Sequence, residues 1–272
     1  MFVYLKHQLI KTIEKIPLLQ IFIYNNLKFF TFLFPHDKDY YALKILFFKN
    51  EKKSFIDIGG NIGLSTIGFR ELGFTENKIH IFEPDKSLIN SYLFKIKKKY
   101  KNLIIHPFGL SNRNSTKKLY KAYYKNKFFH FNNSFDKNYI KQKLFDNYGN
   151  KAKKFKITSS TLSLKKFDGL KINDQICFVK IDVEGFDHLV LYGMKKCINK
   201  FLPIILVEYN YSNFSKVYKF LKKKYSCFIY DLKSNKMILL KKKQIQKLNK
   251  GEILEDTFKK NSVNIFFIKK KT

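Results

Sequence analysis

Apolar and polar positions fall into repeating blocks along most of this chain. A short apolar run at residues 55–58 precedes a helix-like period over 64–72, and a second run at 78–82 precedes a lysine-faced helical period over 87–100 with Leu88, Tyr92 and Ile96 inward. Further apolar runs stand at 103–106, 177–181, 204–207, 227–230 and 265–268, and residues 212–224 have helical spacing. Continuous apolar runs bounded by turn signals predict strands buried on both faces. Strands alternating with helices predict a mainly parallel α/β sheet, with ligands at the carboxyl ends of its strands.

Two regions break the rhythm. Residues 111–164 are rich in Lys, Asn, Tyr and Phe, and within them 118–123 and 154–157 read as a strand pair around a polar, aromatic insertion. A long irregular stretch inside a compact domain marks a lid, a binding segment or disorder. Residues 1–50 form an N-terminal helical extension, and 51–272 the main domain. In the extension, Lys6, Lys11 and Lys15 alternate with Leu5, Leu9, Ile10, Ile13 and Ile16. A helix packed on the domain is the preferred reading, and a basic amphipathic helix on a membrane surface is the alternative. Pro17, Gln20, Asn25, Asn26 and Lys28 interrupt the apolar stretch over 16–34 and make it a poor membrane span.

The chemistry gathers at strand ends. The run Asp57-Ile58-Gly59-Gly60-Asn61-Ile62-Gly63 closes the first strand in an acid and a glycine-rich turn, with a helix able to start at Leu64. Glycine has no Cβ to block a ligand approaching the main chain, and asparagine tolerates positive φ. The second strand ends in Phe82-Glu83-Pro84, which places Glu83 20 residues beyond Gly63. An acid at about that offset hydrogen-bonds ribose hydroxyls in doubly wound folds. The turn does not fit the dinucleotide fingerprint G-x-G-x-x-G. The other dense motif, Lys180-Ile181-Asp182-Val183-Glu184-Gly185, ends an apolar strand in two acids at i and i+2, which point the same way on extended chain. The next strand closes on Val207-Glu208. His106 and His188 stand near these ends, and His80 inside a strand; none has a triad pattern around it, so each reads as structural first.

Charge adds a question more than an answer. The formal net charge is +33, a polyanion-binding value, yet Arg70 and Arg113 are the only arginines. Proteins that read phosphate or guanine use the bidentate arginine fork as well. A lysine-biased composition with solvated faces is therefore the preferred reading, and a nucleic-acid partner is disfavoured. Cys177, Cys197 and Cys227 are too far apart for a zinc motif and odd in number. They suit a reducing compartment, the cytoplasm.

The succession D-x-G-x-N-x-G, F-E-P, K-I-D-V-E-G and a strand ending V-E resembles the FkbM family of class I methyltransferases, over residues 36–268. The resemblance implies a Rossmann-like fold with a mainly parallel seven-stranded sheet flanked by helices. It implies S-adenosylmethionine as cofactor and a sugar, glycan, lipid or other small-molecule hydroxyl as acceptor. Cofactor-binding positions carried over are Asp57, Gly59, Gly60, Asn61, Gly63, Glu83, Pro84, Gly109, Leu110, Ser111 and Asp182, with Gly109-Leu110-Ser111 near the adenine. Asp182 or Glu184 is the expected general base. A divalent metal held by Asp182, Glu208 and Asn210 is a lesser alternative, and no metal is assigned. Gly60 replaces the usual alanine, and Asp187 the usual glutamate. Residues 111–164 are expected to bind the acceptor, with Tyr123, Tyr124, Phe128, Phe129 and Phe131 stacking on sugar faces or packing as core. The acceptor's identity and the oligomeric state stay open.

Overall fold

The computed structural model describes residues 16–18, 22, 37–47, 53–183, 185–252 and 264–270, with the backbone alone for 129–133. The N-terminal amphipathic reading, over residues 5–15, and Glu184 lie outside the described residues, as do the Phe129 and Phe131 side chains. The chain divides into two units: Met1–Leu33 with Thr116–Leu162, and Phe34–Ser115 with Ser163–Thr272.

The second unit carries the large sheet. In chain order its elements are α1 (Leu43–Leu46), β1 (Ser54–Ile58), α2 (Leu64–Glu71), β2 (Ile79–Phe82), α3 (Lys86–Leu88), α4 (Phe94–Lys99), β3 (Leu103–His106) and β4 (Gly109–Leu110). The first unit contributes β5 (Ser115–Tyr124), β6 (Lys127–Ser134), α5 (Lys137–Tyr148) and most of β7 (Phe155–Lys165). The second unit resumes with β8 (Ile176–Ile181), α6 (Asp187–Gly193), α7 (Lys195–Phe201), β9 (Ile204–Glu208), α8 (Tyr211–Leu221), β10 (Tyr225–Asp231), β11 (Lys236–Leu239), α9 (Lys242–Asn249) and β12 (Asn264–Lys269).

Strand order in the large sheet is β11-β10-β12-β9-β8-β1-β2-β3. The run β9-β8-β1-β2-β3 is parallel, and β12 is antiparallel to both of its neighbours. These are the seven strands expected, and β11 adds an eighth by hairpin pairing with β10. Strand β1 is buried at every position. Ile56 and Ile58 enter one core cluster and Phe55 the other, because helices cover both faces of the sheet. Ser54 and Asp57 are the polar residues on that strand, and Asp57 is the charged one.

One helix differs from its expected pattern. A π-helical turn, Ile89–Leu93, separates α3 from α4. Its wider i→i+5 spacing changes which side chains face inward. Leu88, Ile89, Leu93 and Ile96 are buried, whereas Tyr92 is only half-buried.

The first unit is regular where the sequence suggested irregular chain. Strands β7, β5 and β6 lie side by side, as the expected pairing of the two end strands required. Lys125 and Asn126 both take positive φ, 48° and 60°, which makes the two-residue β5–β6 turn without glycine. Asp136 caps α5 by accepting from the Asn138 and Tyr139 N–H groups. Ile140, Leu144 and Tyr148 pack with Ala122 and Phe155. This i, i+4, i+8 spacing behind a capping aspartate is a helix signal that the polar composition hid.

The start of the second unit is pinned to β12. Asp37 caps a 3₁₀ turn, Lys38–Ala42, and both Asp37 and Asp39 accept from the Asn264 side chain. Burial, then the neighbouring Asp37, push Asp39 from its ordinary 3.8 to about 7. A carboxyl raised on folding takes up a proton on folding, so its contribution is greatest at acid pH and is lost as pH rises toward 7. Asp39→Asn is expected to be more stable than the wild type at about pH 8, with the difference closing as pH falls to about 4. Thermal melts across that range check it; a constant offset would show that Asp39 does not titrate this way.

No helix among the described residues is long and apolar enough to cross a membrane.

Candidate active site

Parallel order brings four acids to one edge of the sheet. Asp57 and Glu208 are on the last turns of β1 and β9, and Glu83 and Asp182 directly follow β2 and β8. These four strands are neighbours in the sheet. The glycine loop is tied to both flanking loops. The Gly59 and Gly60 N–H groups donate to the Phe82 carbonyl at 3.0 and 3.1 Å, and the Asp182 N–H donates to the Ile58 carbonyl at 3.0 Å.

Glu83 is the centre of the arrangement. It is buried, and its two carboxylate oxygens accept from the Asn61 and Asp85 N–H groups, each at 2.8 Å. Asn61 reaches Glu83 because it takes left-handed backbone, φ 47°. These bonds fix the carboxylate plane at the carboxyl edge of the sheet. Pro84 follows and lies against Gly109, where an added Cβ would stand 3.4 Å from the proline ring.

The glycines are closely packed. A Cβ on Gly59 would lie 1.9 Å from the Asp182 carbonyl oxygen, one on Gly60 2.3 Å from Ile81 Cγ2, and one on Gly63 2.3 Å from Ile96 Cδ1. Protein atoms fill all three directions, so packing of the chain on itself favours glycine at each position. Gly59 and Gly63 also have φ of 82° and 83°. Gly60, where alanine is usual in the resembling family, is matched by the bulk of Ile81.

Asp57 stands behind the loop and away from its open face. It is fully buried, and its carboxylate accepts from the Ser65 hydroxyl at 2.8 and 3.1 Å and from the Thr66 hydroxyl at 2.8 Å. It therefore anchors the first turn of α2, which begins where the loop ends. Leu110 is likewise a core residue. Ser111 is held by its N–H to the Lys165 carbonyl at 2.9 Å and packs on α6, where a Cβ at Gly193 would meet its carbonyl oxygen at 2.1 Å.

Asp182 is more open than Asp57 and Glu83, with its side chain 38% exposed. The loop that follows it is held from below by Asp187, which accepts from the Val183 N–H at 3.3 Å and from the Asn213 amide. Burial, opposed by those hydrogen bonds and aided by Asp182, raises Asp187 to about 6. Asn213 also meets His188 Nδ1. Because the amide donates to Asp187, its oxygen accepts, so His188 carries its proton on Nδ1. Asn210 spends its side-chain oxygen on the Ser212 N–H and hydroxyl at the start of α8. No group of three or more His, Cys, Asp and Glu side chains arranged for a metal ion occurs among the described residues.

Two contacts of this edge were not legible in the motifs. Lys180 opens the K-I-D-V-E-G motif, but only the structure shows it buried and paired with Asp182. His80 and His106 are linked, His80 Nδ1 to His106 Nε2 at 3.0 Å, and His80 Nε2 meets Asp174 at 2.9 Å. His106 stacks on Phe82 with centroids 4.3 Å apart. Burial, with His80 and Lys165 adding to it, lowers His106 to about 4. Both rings act as neutral supports of the β2–β3 edge that carries Glu83.

Comparison with known proteins gives this edge its family. The model of the methyltransferase FkbM domain matches residues 57–227, from Asp57 through the acid loop to β10. The chain belongs to the FkbM methyltransferase family. Among solved structures, it is similar to methyltransferase FkbM from Methylobacillus flagellatus KT, with a TM-score of 0.50, 14% identity, and 84% of this chain and 47% of that one covered. The chain thus spans about half the length of that relative. Similarity to precorrin-6y C5,15-methyltransferase from Geobacter metallireducens GS-15 has a TM-score of 0.40, 11% identity, and coverage of 85% and 86%. Similarity to a fibrillarin/Nop5p complex has a TM-score of 0.41, 9% identity, and coverage of 84% and 79%. No curated protein matches the chain. The FkbM methyltransferase domain and the α/β sheet agree with the reading of the sequence motifs.

Proposed function

We propose that this FkbM family member binds S-adenosylmethionine and methylates a hydroxyl of a sugar, glycan or lipid-linked acceptor. The observation that carries the proposal is the fixed Glu83 carboxylate beside the left-handed Asn61, one loop away from the half-open Asp182. The residues present fit the cofactor. An acceptor-only carboxylate suits a ribose diol, and the loop before α2 is rigid through its own packing. S-adenosylmethionine, when bound, supplies a methyl group already activated by its sulfonium.

What this chain contributes is alignment and proton transfer. In this reading Glu83 orients the ribose, and Asn61 and Gly60 border it. With the cofactor bound, Asp182 would hold and accept the acceptor's hydroxyl proton, with Glu184 the other candidate for the base. Residues 111–164 supply acceptor specificity. Tyr139 and Phe145 expose more than half their surface there, as a sugar-stacking surface needs. A cytoplasmic location goes with this reading, supported by Cys177, Cys197 and Cys227 all being free thiols. Membrane contact through the N-terminal segment remains a part of it for experiment.

Nucleic acid is not the acceptor proposed. Of the two arginines, Arg70 is buried and donates to the Phe74 and Lys101 carbonyls, so it is spent on the fold. Methyl-tritiated S-adenosylmethionine, incubated with the protein and cell fractions, is expected to label carbohydrate or lipid-linked material. Label in RNA alone would replace this reading with the nucleic-acid one.

A further inference from the structure

We propose that Lys180 is the positioning residue of this site, tying the acid loop to the glycine loop and thereby setting cofactor affinity without touching the cofactor. The proposal rests on the cofactor reading above.

Strand β8 is apolar from Ile176 to Ile181 except for Cys177 and this lysine. Parallel register places Lys180 opposite Asp57 on β1. Its ammonium lies 3.1 Å from Asp182 Oδ2 and 3.7 Å from Asp57 Oδ1, and its side chain is 7% exposed. Asp57 in turn holds the Ser65 and Thr66 hydroxyls in the first turn of α2. One polar path therefore runs from the helix behind the glycine loop, through Asp57 and Lys180, to the half-open Asp182.

Burial opposes the lysine's charge, but the Asp182 and Asp57 carboxylates outweigh it and keep the ammonium protonated. Such a group is costly to bury, and breaking the pair leaves a carboxylate without its counter-charge. A lysine that only neutralised Asp57 would not need Asp182 within hydrogen-bond distance. The direct Lys180–Asp182 bond gives the acid one orientation relative to the loop that Glu83 and Asn61 complete.

A double-mutant cycle read by calorimetric binding of S-adenosylhomocysteine tests this. Lys180→Met is expected to weaken binding about tenfold, and in an Asp182→Asn background to add less than about threefold, because the path is already cut. Lys180→Met costing the same factor in both backgrounds, or nothing in either, overturns the proposal. If Lys180→Met fails to fold, the same cycle is run with Lys180→Arg, which keeps the charge but moves the donors. Folded wild type that does not bind S-adenosylhomocysteine defeats the cofactor reading and this proposal together. Binding by wild type with an additive cycle defeats this proposal alone.

Discussion

Glu83→Ala is expected to weaken S-adenosylhomocysteine binding by about 100-fold or more, which is roughly 2.7 kcal/mol. The loss has two sources. The ribose hydroxyls lose a charged acceptor, whose hydrogen bonds are worth about 1.5–3 kcal/mol. The Asn61 and Asp85 N–H groups lose the partner they hold at 2.8 Å, so the left-handed turn at Asn61 loses its tie to β2. Glu83→Gln separates these sources. It keeps one carbonyl oxygen for a loop N–H but turns an NH₂ donor toward the other, so an intermediate loss is expected. Calorimetry with S-adenosylhomocysteine, alongside melting temperatures, checks both variants. Undiminished binding by a folded Glu83→Ala protein would make Glu83 a brace for the loop and remove it as the ribose acid.

Gly59→Ala is expected to cost about 3 kcal/mol of stability and to lower the melting temperature by roughly 6–12 °C. Part of this is backbone strain. Gly59 has φ 82°, and an L-residue with a Cβ pays about 1–2 kcal/mol in left-handed conformation. The rest is contact: the new Cβ would sit 1.9 Å from the Asp182 carbonyl oxygen, which is backbone and cannot swing aside. Relief requires the glycine loop and the acid loop to separate, so cofactor binding should fall with stability. Gly169→Ala is the control, because nothing lies within 4 Å of its Cβ position. A Gly59→Ala protein that melts like Gly169→Ala would show that the two loops are not packed as described.

Much of the site was readable because its signals are local. The spacing from Gly63 to Glu83 is one helix–loop–strand unit, whose length is set by the rise of a helix and the width of a sheet. Residues 178–185 announced a buried strand ending in acids, and the structure puts Asp182 at that end. The packing around the glycines was not readable in the same way. Their neighbours, the Asp182 carbonyl, Ile81 and Ile96, come from three other segments. The first-unit helix α5 was obscured because its polar composition outweighed three apolar residues at helical spacing. Tyr92 and Leu93 differ from expectation because a π turn changes the phase of a helix by one residue without a marker in the sequence.

By itself the sequence determined the alternation of strands and helices, the motif order of the FkbM family and the acids that stand at strand ends. Hydrophobic period, turn residues and motif spacing are properties of neighbouring residues, so they survive in one dimension. Only the tertiary structure decided which of those acids faces outward. Asp57 and Asp182 look alike as strand-end aspartates, yet one is sealed under Ser65 and Thr66 and the other is 38% exposed. The difference is made by helix α2, which packs Ser65 and Thr66 over Asp57, whereas Asp182 stands in the loop after β8. Burial and charge pairing depend on what lies across the sheet, which the order of residues along one strand does not record.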